Sequence, residues 1–583
     1  MDVLVVGAGP VGLTAAVELR RRGIGCRLVE RLPQRLPFAK AVGVQPRTLE
    51  IWDRMGLVRA ALDAAVPMRG QLRYVNGTEQ PRTDLALPPE VPYGFAALPQ
   101  YETERILEEH LIRLGGRIER RSELVSFTQD DDGVTSRLVT AAGQEEVRSR
   151  YLIGCDGAHS TVRKGLGLGF RGGAFPEEYM LADVEVDWDL PPGYGVRALH
   201  RGEDGRVDDL LVCIPLPGRG RYRMSMLVPP ELSAAPAAPA APAESAASAA
   251  PAVPAASAAP AVPAESAAPA ASGVAHGLEG GRGPALSDVQ TALDRLSPRP
   301  ATASALRWSS VFRISHRLVD RYGDGRVLVA GDAAHIHPPT GAQGMNTGIQ
   351  DAYNLAWKLA LTIGGTARPG LLASYDAERR PVGEEVVGRT VRHAAEGVQA
   401  DPEDPATLLL REAQLLVGYR DSPIVGPPDA DGADGDSGAG PAPRPGDRAP
   451  DCTGLTGEIA TYPQRLYDVL RGGEHVLLLY GTDRESTGGF DELSSLATEL
   501  TGHQLTSYVI LADGARPPAG GTRLPVYRDT RGEFARAYAT QAGPTAFVVR
   551  PDGYLGTRLY PPTAEGLTAH LARVFRTPRP EGR

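Results

Sequence analysis

The chain has 583 residues, a net charge of −9 and a sequence pI near 5.8, and this length suits several domains. The acidic balance and the lack of any Lys/Arg cluster interleaved with aromatic residues argue against a nucleic-acid partner. The four cysteines form no CxxC pair, and no apolar run reaches about 18 residues. We therefore predict a cytoplasmic protein with no metal site and no membrane span.

The first motif is a glycine-rich turn between a strand and a helix. Residues 2–6 form an apolar strand candidate, residues 7–12 have the pattern GxGxxG, and residues 13–22 have a helical pattern. Glu30 ends the next apolar run, 18 residues after the third glycine. In such a unit the glycines serve a tight turn, the approach of a pyrophosphate and helix packing, and the acid binds ribose hydroxyls. The predicted nucleotide-site residues are Gly7, Gly9, Gly12 and Glu30, with Arg31 beside the acid.

Three later segments combine polar side chains with helix starts. Lys40 begins a loop that leads into a helix candidate, and an amphipathic helix pattern begins at Gln100. A further apolar run, residues 151–155, ends at Asp156 in front of another helix. A carboxylate at the end of a strand beside a helix N-terminus suits ribose and pyrophosphate groups. The segment at Asp156 therefore predicts a second nucleotide contact.

Residues 175–228 alternate apolar and polar side chains over short runs, which predicts an antiparallel sheet with one buried face. Four polar residues are candidates for a substrate pocket there: His200, Arg201, Tyr222 and Arg223. We expect surface or edge-strand positions for all four. An Ala/Pro-rich segment, residues 233–283, interrupts this region. Proline prevents a helix there and no large apolar side chain could build a core, so we expect an inert, disordered or polyproline-like insertion.

Residues 326–365 combine a strand, an aspartate, a bent loop and a long helix. Residues 327–330 form an apolar run of the kind that a buried parallel strand uses, and Asp332 follows it. The loop holds prolines and glycines, which bend the backbone and permit close approach to a ligand. A helix with apolar residues at helical spacing begins near Asn346 and ends at Ile363. Together these features predict a pocket for polar, electron-rich groups.

The last part of the chain has a linker and then a compact α/β pattern. Residues 421–450 are rich in Gly, Asp and Pro, a composition typical of a linker. Strand patterns at 474–480 and 505–511 flank a helix pattern at 489–501, and a proline-preceded strand begins at Thr545. This arrangement resembles a thioredoxin-like domain without its CxxC pair. We therefore expect a structural domain without disulfide chemistry.

The GDAAH, PP, QGMN and DAYNLAW motifs within residues 331–357 resemble the second flavin motif of the class A flavoprotein aromatic hydroxylases, the para-hydroxybenzoate hydroxylase superfamily. The glycine-rich turn and the Asp156-Gly157 motif match the family's other landmarks in the same order. The resemblance implies that Asp332 binds the ribityl chain of FAD and that residues 341–346 lie along its isoalloxazine ring. Beyond the turn, the implied cofactor-binding residues are Lys40, Gln100, Asp156, Asp332, Gly341, Gly344, Met345 and Asn346. The family commonly has arginine at the position of Lys40. The resemblance also places Pro338 near the flavin, and Arg47, Ser160 and Arg163 match the family's pattern.

The implied fold class is α/β, with a Rossmann-like FAD-binding domain, an α+β substrate domain built on an antiparallel sheet, and a C-terminal thioredoxin-like domain of the kind found in polyketide-tailoring members. The FAD-binding domain is expected in two parts, residues 1–174 and 311–395. The substrate domain is expected at residues 175–310, joined by residues 68–99 from the first part of the FAD-binding domain. A helix and linker are expected at 396–446 and the thioredoxin-like domain at 447–583.

The implied activity is that of an FAD-dependent monooxygenase that consumes O₂ and either NADPH or NADH. NAD(P)H reduces the flavin, and a flavin C4a-hydroperoxide delivers one oxygen to an electron-rich aromatic substrate, so no catalytic side chain is assigned. A polycyclic polyketide or an antibiotic is the expected substrate of a monomer or homodimer. A Baeyer–Villiger oxidation and a non-oxygenating flavoprotein remain alternatives. An interaction protein built around the Ala/Pro segment conflicts with the complete enzyme pattern.

Overall fold

The structure is a computed structural model that describes residues 1–205, 207–228, 283–338, 340–396, 403–427, 442–460, 462–483, 487–515, 521–538, 540 and 543–576. The Ala/Pro insertion expected at residues 233–283 lies outside the described residues apart from its last glycine, so its character stays a prediction. Residues 428–441 of the expected linker also lie outside them.

The first sheet carries the glycine-rich turn and the second flavin-type motif on nearby strands. Val3–Val6 pairs in parallel with Tyr151–Gly154, which pairs in parallel with Val327–Val329. All three strands are buried apolar runs, as in sheets that are covered on both faces. Their carboxyl ends therefore meet at one edge, and the predicted strands are confirmed. In sheet order the strands are Gly323–Asp324, Val327–Val329, Tyr151–Gly154, Val3–Val6, Cys26–Glu30 and Ile118–Arg120, parallel except for the first pair.

Three long helices surround this sheet. Pro10–Arg21 follows the glycine-rich turn and packs against Gln100–Arg113 and Gln343–Ile363. The last of these begins three residues before the predicted start at Asn346.

Helix Ala373–Glu396 carries Pro381 in its interior. A proline removes one backbone hydrogen bond from a helix. The buried ion pairs of the neighbouring Glu378 and Arg379 hold this helix in place despite that loss.

The described residues also form an eight-stranded sheet covered on one face by helix Leu286–Leu296. Alternate residues of each strand face opposite sides, and Val196 and Met224 belong to the apolar layer beneath the helix. Tyr194–Arg201 pairs in parallel with Gly70–Val75, whereas the other pairs are antiparallel, as predicted. In order the strands are His335–Ile336, Ala303–Val319, Phe170–Val186, Arg221–Leu227, Val207–Pro215, Tyr194–Arg201, Gly70–Val75 and Thr78–Asp84.

Two of the four polar candidates in this sheet are buried, so the expectation of surface or edge positions was wrong for them. Arg221–Leu227 is a central strand, and Tyr222 is 8 % exposed and Arg223 is 7 % exposed. Polar side chains such as Tyr222 and Arg223 are usually expected at the surface. The strands that bury these two residues come from other parts of the chain, so the local sequence does not reveal their burial. His200 and Arg201 are exposed, as expected.

A six-stranded sheet forms the C-terminal unit. Its central strand, His475–Gly481, pairs in parallel with Leu505–Ala512 and antiparallel with Thr545–Val549. Helices Phe490–Thr501 and Ala564–Leu571 pack together beside it. The predicted elements are confirmed to within one residue at each end, and the thioredoxin-like assignment stays a prediction. In order the strands are Leu455–Gly457, Val526–Asp529, Leu505–Ala512, His475–Gly481, Thr545–Val549 and Leu555–Leu559.

The ends of the expected linker are packed against the rest of the protein. Ile424, Val425 and Ala449 are buried, and Ser422 donates a hydrogen bond to Glu378 at 2.6 Å. Composition did not reveal this packing, because the partners of these residues lie far away in the chain.

The remaining elements are short. Two three-stranded sheets consist of Gly143–Ser149, Val134–Thr140 and Glu123–Gln129, and of Gly43–Val44, Ala96–Ala97 and Val66–Pro67. The other helices are Pro46–Arg54, Val58–Ala64, Thr161–Gly165, Pro405–Glu412, Leu466–Val469 and Glu533–Ala537, with 3₁₀ turns at Gly331–Ala333 and Thr340–Ala342. In the described part of the chain no helix is long and apolar enough to cross a membrane, and no His, Cys, Asp and Glu cluster could hold a metal.

Candidate flavin site

The glycine-rich turn has the close contacts that its spacing predicts. Gly7 has a φ of +96°, and a Cβ atom there would lie 2.4 Å from the Cys155 carbonyl oxygen. A Cβ at Gly12 would lie 1.9 Å from the Gly7 carbonyl oxygen, so this glycine lets the helix pack on the turn. A Cβ at Gly9 would meet no atom within 4 Å. Two of the glycines therefore serve packing, and the third borders open space that a ligand could fill.

Glu30 borders the same space and is held by backbone donors. Its Oε2 accepts a hydrogen bond from Ala8 N at 2.8 Å, and its Oε1 accepts one from Leu32 N at 2.9 Å. Each carboxylate oxygen keeps a second acceptor position for a ligand hydroxyl. The adjoining cleft has a volume of about 170 Å³ and is lined by Ala8, Gly9, Glu30, Leu32, Gln34, Arg35, Leu36, Phe38, Lys40, Gln100, Glu104 and Arg120.

Lys40 and Gln100, both selected from the sequence, share this cleft with Glu104, which was not selected. Gln100 accepts a hydrogen bond from Ala41 N at 3.3 Å and donates one to Glu104 at 2.9 Å. Burial raises the pKa of Glu104 to about 7. Burial lowers the pKa of Lys40, and Asp332 and Glu104 oppose that shift. The cleft therefore holds one ammonium group, which can pair with a ligand phosphate, and two carboxyl groups within electrostatic reach of that ammonium.

Asp156 caps a short helix and does not line the cleft. Its Oδ2 accepts hydrogen bonds from Thr161 N at 2.7 Å and Val162 N at 3.1 Å. Its buried Oδ1 has no partner among the described residues. Ser160 caps the same helix by accepting a hydrogen bond from Arg163 N at 2.9 Å. The structure thus gives this motif a local structural role, and its contact with a cofactor stays a prediction.

Asp332 follows strand Val327–Val329 in a 3₁₀ turn, with its side chain exposed. A buried network holds this turn. Asp351 Oδ2 accepts a hydrogen bond from Gly331 N at 3.1 Å and contacts His335 Nε2 at 2.7 Å. Arg379 Nε donates to the other Asp351 oxygen at 2.7 Å. Burial opposes the shift, but Arg379 and His335 hold the pKa of Asp351 below its usual range. Asp332 is therefore an exposed carboxylate on a well-anchored turn.

The side chain of Asn346, which was expected to bind the cofactor, is fully used by the protein. Its Nδ2 donates to the carbonyl oxygens of Gly43 at 2.9 Å and Ala342 at 2.7 Å. Its Oδ1 accepts hydrogen bonds from Gln45 N at 3.0 Å and Thr48 Oγ1 at 2.7 Å. An asparagine amide has two donors and two acceptor positions, and all are occupied. Asn346 therefore fixes the loop, and its side chain has no donor or acceptor left for a ligand.

The sequence did not indicate the residues that hold this loop from behind. Gln343 Nε2 donates to Glu412 Oε2 at 2.8 Å, and Gln414 Nε2 donates to Gln343 Oε1 at 2.7 Å and to Thr347 Oγ1 at 3.0 Å. Gly341 has a φ of +70°, and a Cβ there would lie 2.2 Å from Glu412 Oε2. No local pattern marks Gln414, which reaches Gln343 across 71 residues of sequence.

Two selected arginines lie outside the cleft. Arg31 is exposed and is not among the cleft-lining residues. Arg47 is 1 % exposed, pairs with Glu50 at 2.7 Å and donates to the Asp552 carbonyl oxygen at 2.8 Å. Arg47 therefore faces the C-terminal unit. The local sequence around Arg47, at the start of helix Pro46–Arg54, did not predict this contact.

Three other selected residues belong to the loop in front of the long helix and to the first turn of that helix. Pro338 is buried, and its carbonyl oxygen contacts His337 Nδ1 at 2.9 Å. A Cβ at Gly344 would lie 3.4 Å from His337 Nε2. Met345 is half-buried against the core of the first sheet. The loop thus packs closely on one side, and its backbone N–H groups lie at the start of helix Gln343–Ile363, where they have no partner within the helix.

Comparisons with known proteins identify the family to which the chain belongs. The chain matches the FAD binding domain family over residues 1–282 and 275–390. It is 33 % identical over 590 residues to the anhydrotetracycline monooxygenase of Streptomyces rimosus, with 99 % of each chain covered. It is 34 % identical over 493 residues to a flavin-dependent monooxygenase of Mycobacteroides abscessus, with 82 % of this chain and 89 % of that protein covered.

A solved structure adds a match in three dimensions. The OxyS anhydrotetracycline hydroxylase from Streptomyces rimosus superposes on this chain with a TM-score of 0.69 at 28 % identity, with 99 % of each chain covered. Together the matches confirm FAD as the cofactor, with NAD(P)H as the co-substrate typical of such enzymes. The chain therefore belongs to the FAD binding domain family and is a flavin-dependent aromatic monooxygenase.

Proposed function

We propose that this monooxygenase hydroxylates a polycyclic phenolic substrate of the polyketide or antibiotic type. The observation that carries the proposal is that the open cleft at Gly9 and Glu30 adjoins the eight-stranded sheet. The two meet at Lys40, whose carbonyl oxygen accepts a hydrogen bond from Arg223 of that sheet at 3.3 Å. A cofactor site beside a broad sheet suits an extended planar substrate. The names of the relatives support this class, since they include anhydrotetracycline monooxygenase and rifampicin monooxygenase.

The residues of the cleft fit FAD, together with Asp332, which is not among the residues that line it. The open backbone at Gly9 suits a pyrophosphate, Glu30 keeps acceptor positions for ribose hydroxyls, and the exposed Asp332 suits the ribityl hydroxyls. Lys40 offers a cation near the phosphate groups. We assign these four residues, with Gln100 and the backbone of residues 341–346, as the cofactor contacts of this chain.

When bound, FAD supplies the redox chemistry, taking electrons from NAD(P)H and activating O₂. The protein's own part is positioning and electrostatics. The free N–H groups and the dipole of helix Gln343–Ile363 favour negative charge beside the loop of residues 341–346. The sheet beyond Lys40 orients the substrate and shields it from water.

We extend the proposal to the organisation and setting of the protein. The two parts of the FAD-binding domain, the substrate domain and the thioredoxin-like domain follow the boundaries given above. The acidic composition and the cysteine pattern support a cytoplasmic monomer or homodimer with no nucleic-acid or membrane partner and no disulfide chemistry.

Incubation with NADPH or NADH, ¹⁸O₂ and a panel of polycyclic phenols tests the activity. The expected result is substrate-dependent NAD(P)H oxidation and a phenolic product that carries one ¹⁸O atom. A base-labile ester that carries ¹⁸O would show a Baeyer–Villiger oxidation. Flavin reduction without ¹⁸O incorporation would contradict the oxygenase assignment and indicate a non-oxygenating flavoprotein.

Replacement of Asp332 tests the cofactor assignment. Asp332→Ala should give folded protein that purifies with little flavin, because a charged acceptor worth about 1.5–3 kcal/mol is lost. Asp324→Ala is the matched control, since Asp324 is exposed and pairs only with Arg321 among the described residues. Full flavin occupancy in Asp332→Ala would contradict the assignment.

A further inference from the structure

We propose that Arg197 and Arg223 form a recognition site for two anionic oxygens of the substrate, such as ionised phenol or enol groups. This inference rests on the proposed function and specifies its substrate. Both arginines lie on the eight-stranded sheet, and both lack a carboxylate partner among the described residues.

Arg223 lies directly opposite Asp183 in the strand pairing, yet another arginine takes this carboxylate. Arg221 Nε donates to Asp183 Oδ1 at 2.8 Å, and Arg221 Nη2 pairs with the second oxygen. Arg223 donates to the Lys40 carbonyl oxygen at 3.3 Å, and its buried Nε has no partner in the described part of the chain. Burial lowers the pKa of Arg223 to about 10. A buried guanidinium without an anion is costly, so a bound anion would stabilise this site.

Arg197 is the second guanidinium without a carboxylate. It is half-buried, and the described residues place no carboxylate within ion-pair distance of it. In the strand pairing it lies directly opposite Arg73. Burial lowers the pKa of Arg197, Arg73 adds to this shift and Tyr179 opposes it. A second positive charge beside Arg197 favours the binding of an anion near Arg197.

Both side chains point to the face of the sheet that borders the cofactor cleft. Val196 and Met224, their neighbours in sequence, belong to the apolar layer beneath helix Leu286–Leu296. Adjacent residues of a strand point to opposite faces, so Arg197 and Arg223 face away from that layer. The contact between Arg223 and the Lys40 carbonyl oxygen shows that this second face meets the flavin side.

The strand register sets the spacing of the two arginines. Arg197 lies opposite Val212, and Arg223 lies opposite Ile214 on the same intervening strand. A separation of two strands across the sheet and two residues along it places their Cα atoms about 12 Å apart. One phenol ring does not bridge this span, whereas a linear polycyclic ring system does.

The surface between and beside the arginines suits a flat ring system. The intervening strand carries Val212 and Ile214, and Val212 pairs with Ser225, so small or apolar side chains lie between the two arginines. Trp308 lies opposite Asp183 in the strand pairing, and Asp183 lies opposite Arg223; Phe38 stacks on Trp308 with ring centroids 5.2 Å apart. Aromatic rings next to a cation bind an ionised polycyclic phenol through both stacking and charge.

The experiment measures binding of 2,6-dihydroxyanthraquinone, whose two hydroxyl groups lie at opposite ends of the ring system, and of its dimethyl ether to the FAD-loaded enzyme by absorbance. The ionised phenol absorbs at longer wavelength than the neutral form, so a pH series gives the pKa of the bound ligand. The wild type should lower that pKa by at least one unit relative to free ligand. Arg223→Gln and Arg197→Gln should each abolish most of that shift and raise the Kd of the phenol about tenfold, with less than threefold effect on the ether. Arg223→Lys retains the charge and should keep most of the shift.

Arg313→Gln is the matched control, because Arg313 lies on the same sheet, is exposed and pairs with Glu178 at 3.2 Å. It should behave as the wild type. Equal losses for the phenol and its ether in the Gln variants, or no loss in either, would overturn the inference while the wild type still hydroxylates phenols. A wild type that neither binds nor oxidises any phenol would overturn the proposed function and this inference with it.

Discussion

Gln414 Nε2 donates a hydrogen bond to Gln343 Oε1 at 2.7 Å, and this contact ties the chain after helix Pro405–Glu412 to the first turn of the flavin-side helix. Gln350 Nε2 donates to Gln414 Oε1 at 2.6 Å, so the Gln414 amide joins two turns of the same helix. Gln414 is 2 % exposed and has a φ of +59°. A left-handed conformation costs a non-glycine residue roughly 1–2 kcal/mol, and the three hydrogen bonds of this side chain offset that cost.

Gln414→Ala should weaken FAD binding about tenfold, because buried partners on the helix lose their hydrogen bonds at about 1–3 kcal/mol each. Titration of the apoprotein with FAD, followed by flavin fluorescence, measures this Kd. Gln414→Gly relieves the left-handed backbone and also removes the amide, so it should lose as much affinity as the alanine variant. Gln290→Ala, in helix Leu286–Leu296, is the control and should leave the FAD Kd unchanged. Wild-type affinity in Gln414→Gly would show that the backbone, and not the side chain, matters.

The glycine-rich turn predicts opposite results for two similar changes. Gly9→Ala places a methyl group in open space, so the apoprotein should keep its melting temperature and lose FAD affinity by more than tenfold. Gly12→Ala places the same group 1.9 Å from the Gly7 carbonyl oxygen, so the apoprotein itself should melt several degrees lower. Thermal melts and FAD titrations of both apoproteins measure the two effects. Tight FAD binding by Gly9→Ala would rule out a pyrophosphate at this position.

A buried four-charge cluster joins the C-terminal unit to the flavin-side helices. Arg550 pairs with Glu378 at 2.7 Å and with Asp552 at 2.6 Å, and Glu378 also pairs with Lys358 at 2.7 Å. All four side chains are at most 3 % exposed. Burial lowers the pKa of Lys358 to about 8, Glu378 raises it, and Arg550 adds to the lowering. The cluster has two charges of each sign, so it balances only while all four are present.

Asp552→Asn should lower stability by about 3–5 kcal/mol, because it leaves one uncompensated positive charge in the interior. Asp63→Asn is the control, since Asp63 and its partner Arg59 are exposed on a helix and such pairs contribute about 0.3–0.5 kcal/mol. Urea unfolding followed by circular dichroism compares the two variants. A midpoint for Asp552→Asn within the error of the wild type would mean that the interface does not depend on this charge.

The sequence predicted the parts of the fold that depend on near neighbours. The turn at Gly7, the acid at Glu30 and the strand before Asp332 each lie within one local strand–turn–helix unit, whose spacing is visible in the chain. The family resemblance then supplied the cofactor. The contact between Arg550 and Glu378 joins residues 172 positions apart, and no local pattern encodes it.

The same limit explains which site residues were missed or misplaced. Asn346 was selected as a ligand-binding side chain, although its four hydrogen bonds are satisfied by segments that fold against it from other parts of the chain. Arg223 was expected at the surface, because its burial depends on strands on both sides of it. Glu104 has no motif, and its role at the cleft follows only from the path of helix Gln100–Arg113 past Lys40.

Glu104 makes the cleft sensitive to pH. Its pKa rises from an ordinary value of 4.5 to about 7 because burial disfavours the carboxylate, while Gln100 and Arg35 oppose the shift and Glu30 adds to it. The folded apoprotein therefore takes up a proton that the unfolded chain has lost, so this group's contribution to stability falls as pH rises from about 4.5 to about 7. Above that range Glu104 is a carboxylate at the wall of the cleft, beside Lys40, and it opposes the approach of a phosphate group.

Glu104→Gln removes this charge and keeps the shape and one acceptor for Gln100. The apoprotein variant should melt a few degrees above the wild type at pH 8 and no higher than the wild type at pH 4.5, where the wild-type carboxyl is already neutral. Its FAD Kd should stay constant between pH 6 and pH 8, whereas the wild-type Kd should rise about threefold or more over that interval. Glu109→Gln, on the exposed side of the same helix and paired with Arg105, is the control and should follow the wild type. Parallel pH profiles for Glu104→Gln and the wild type would mean that another group at the cleft titrates in this range, because the variant has no carboxyl at residue 104 to lose a proton.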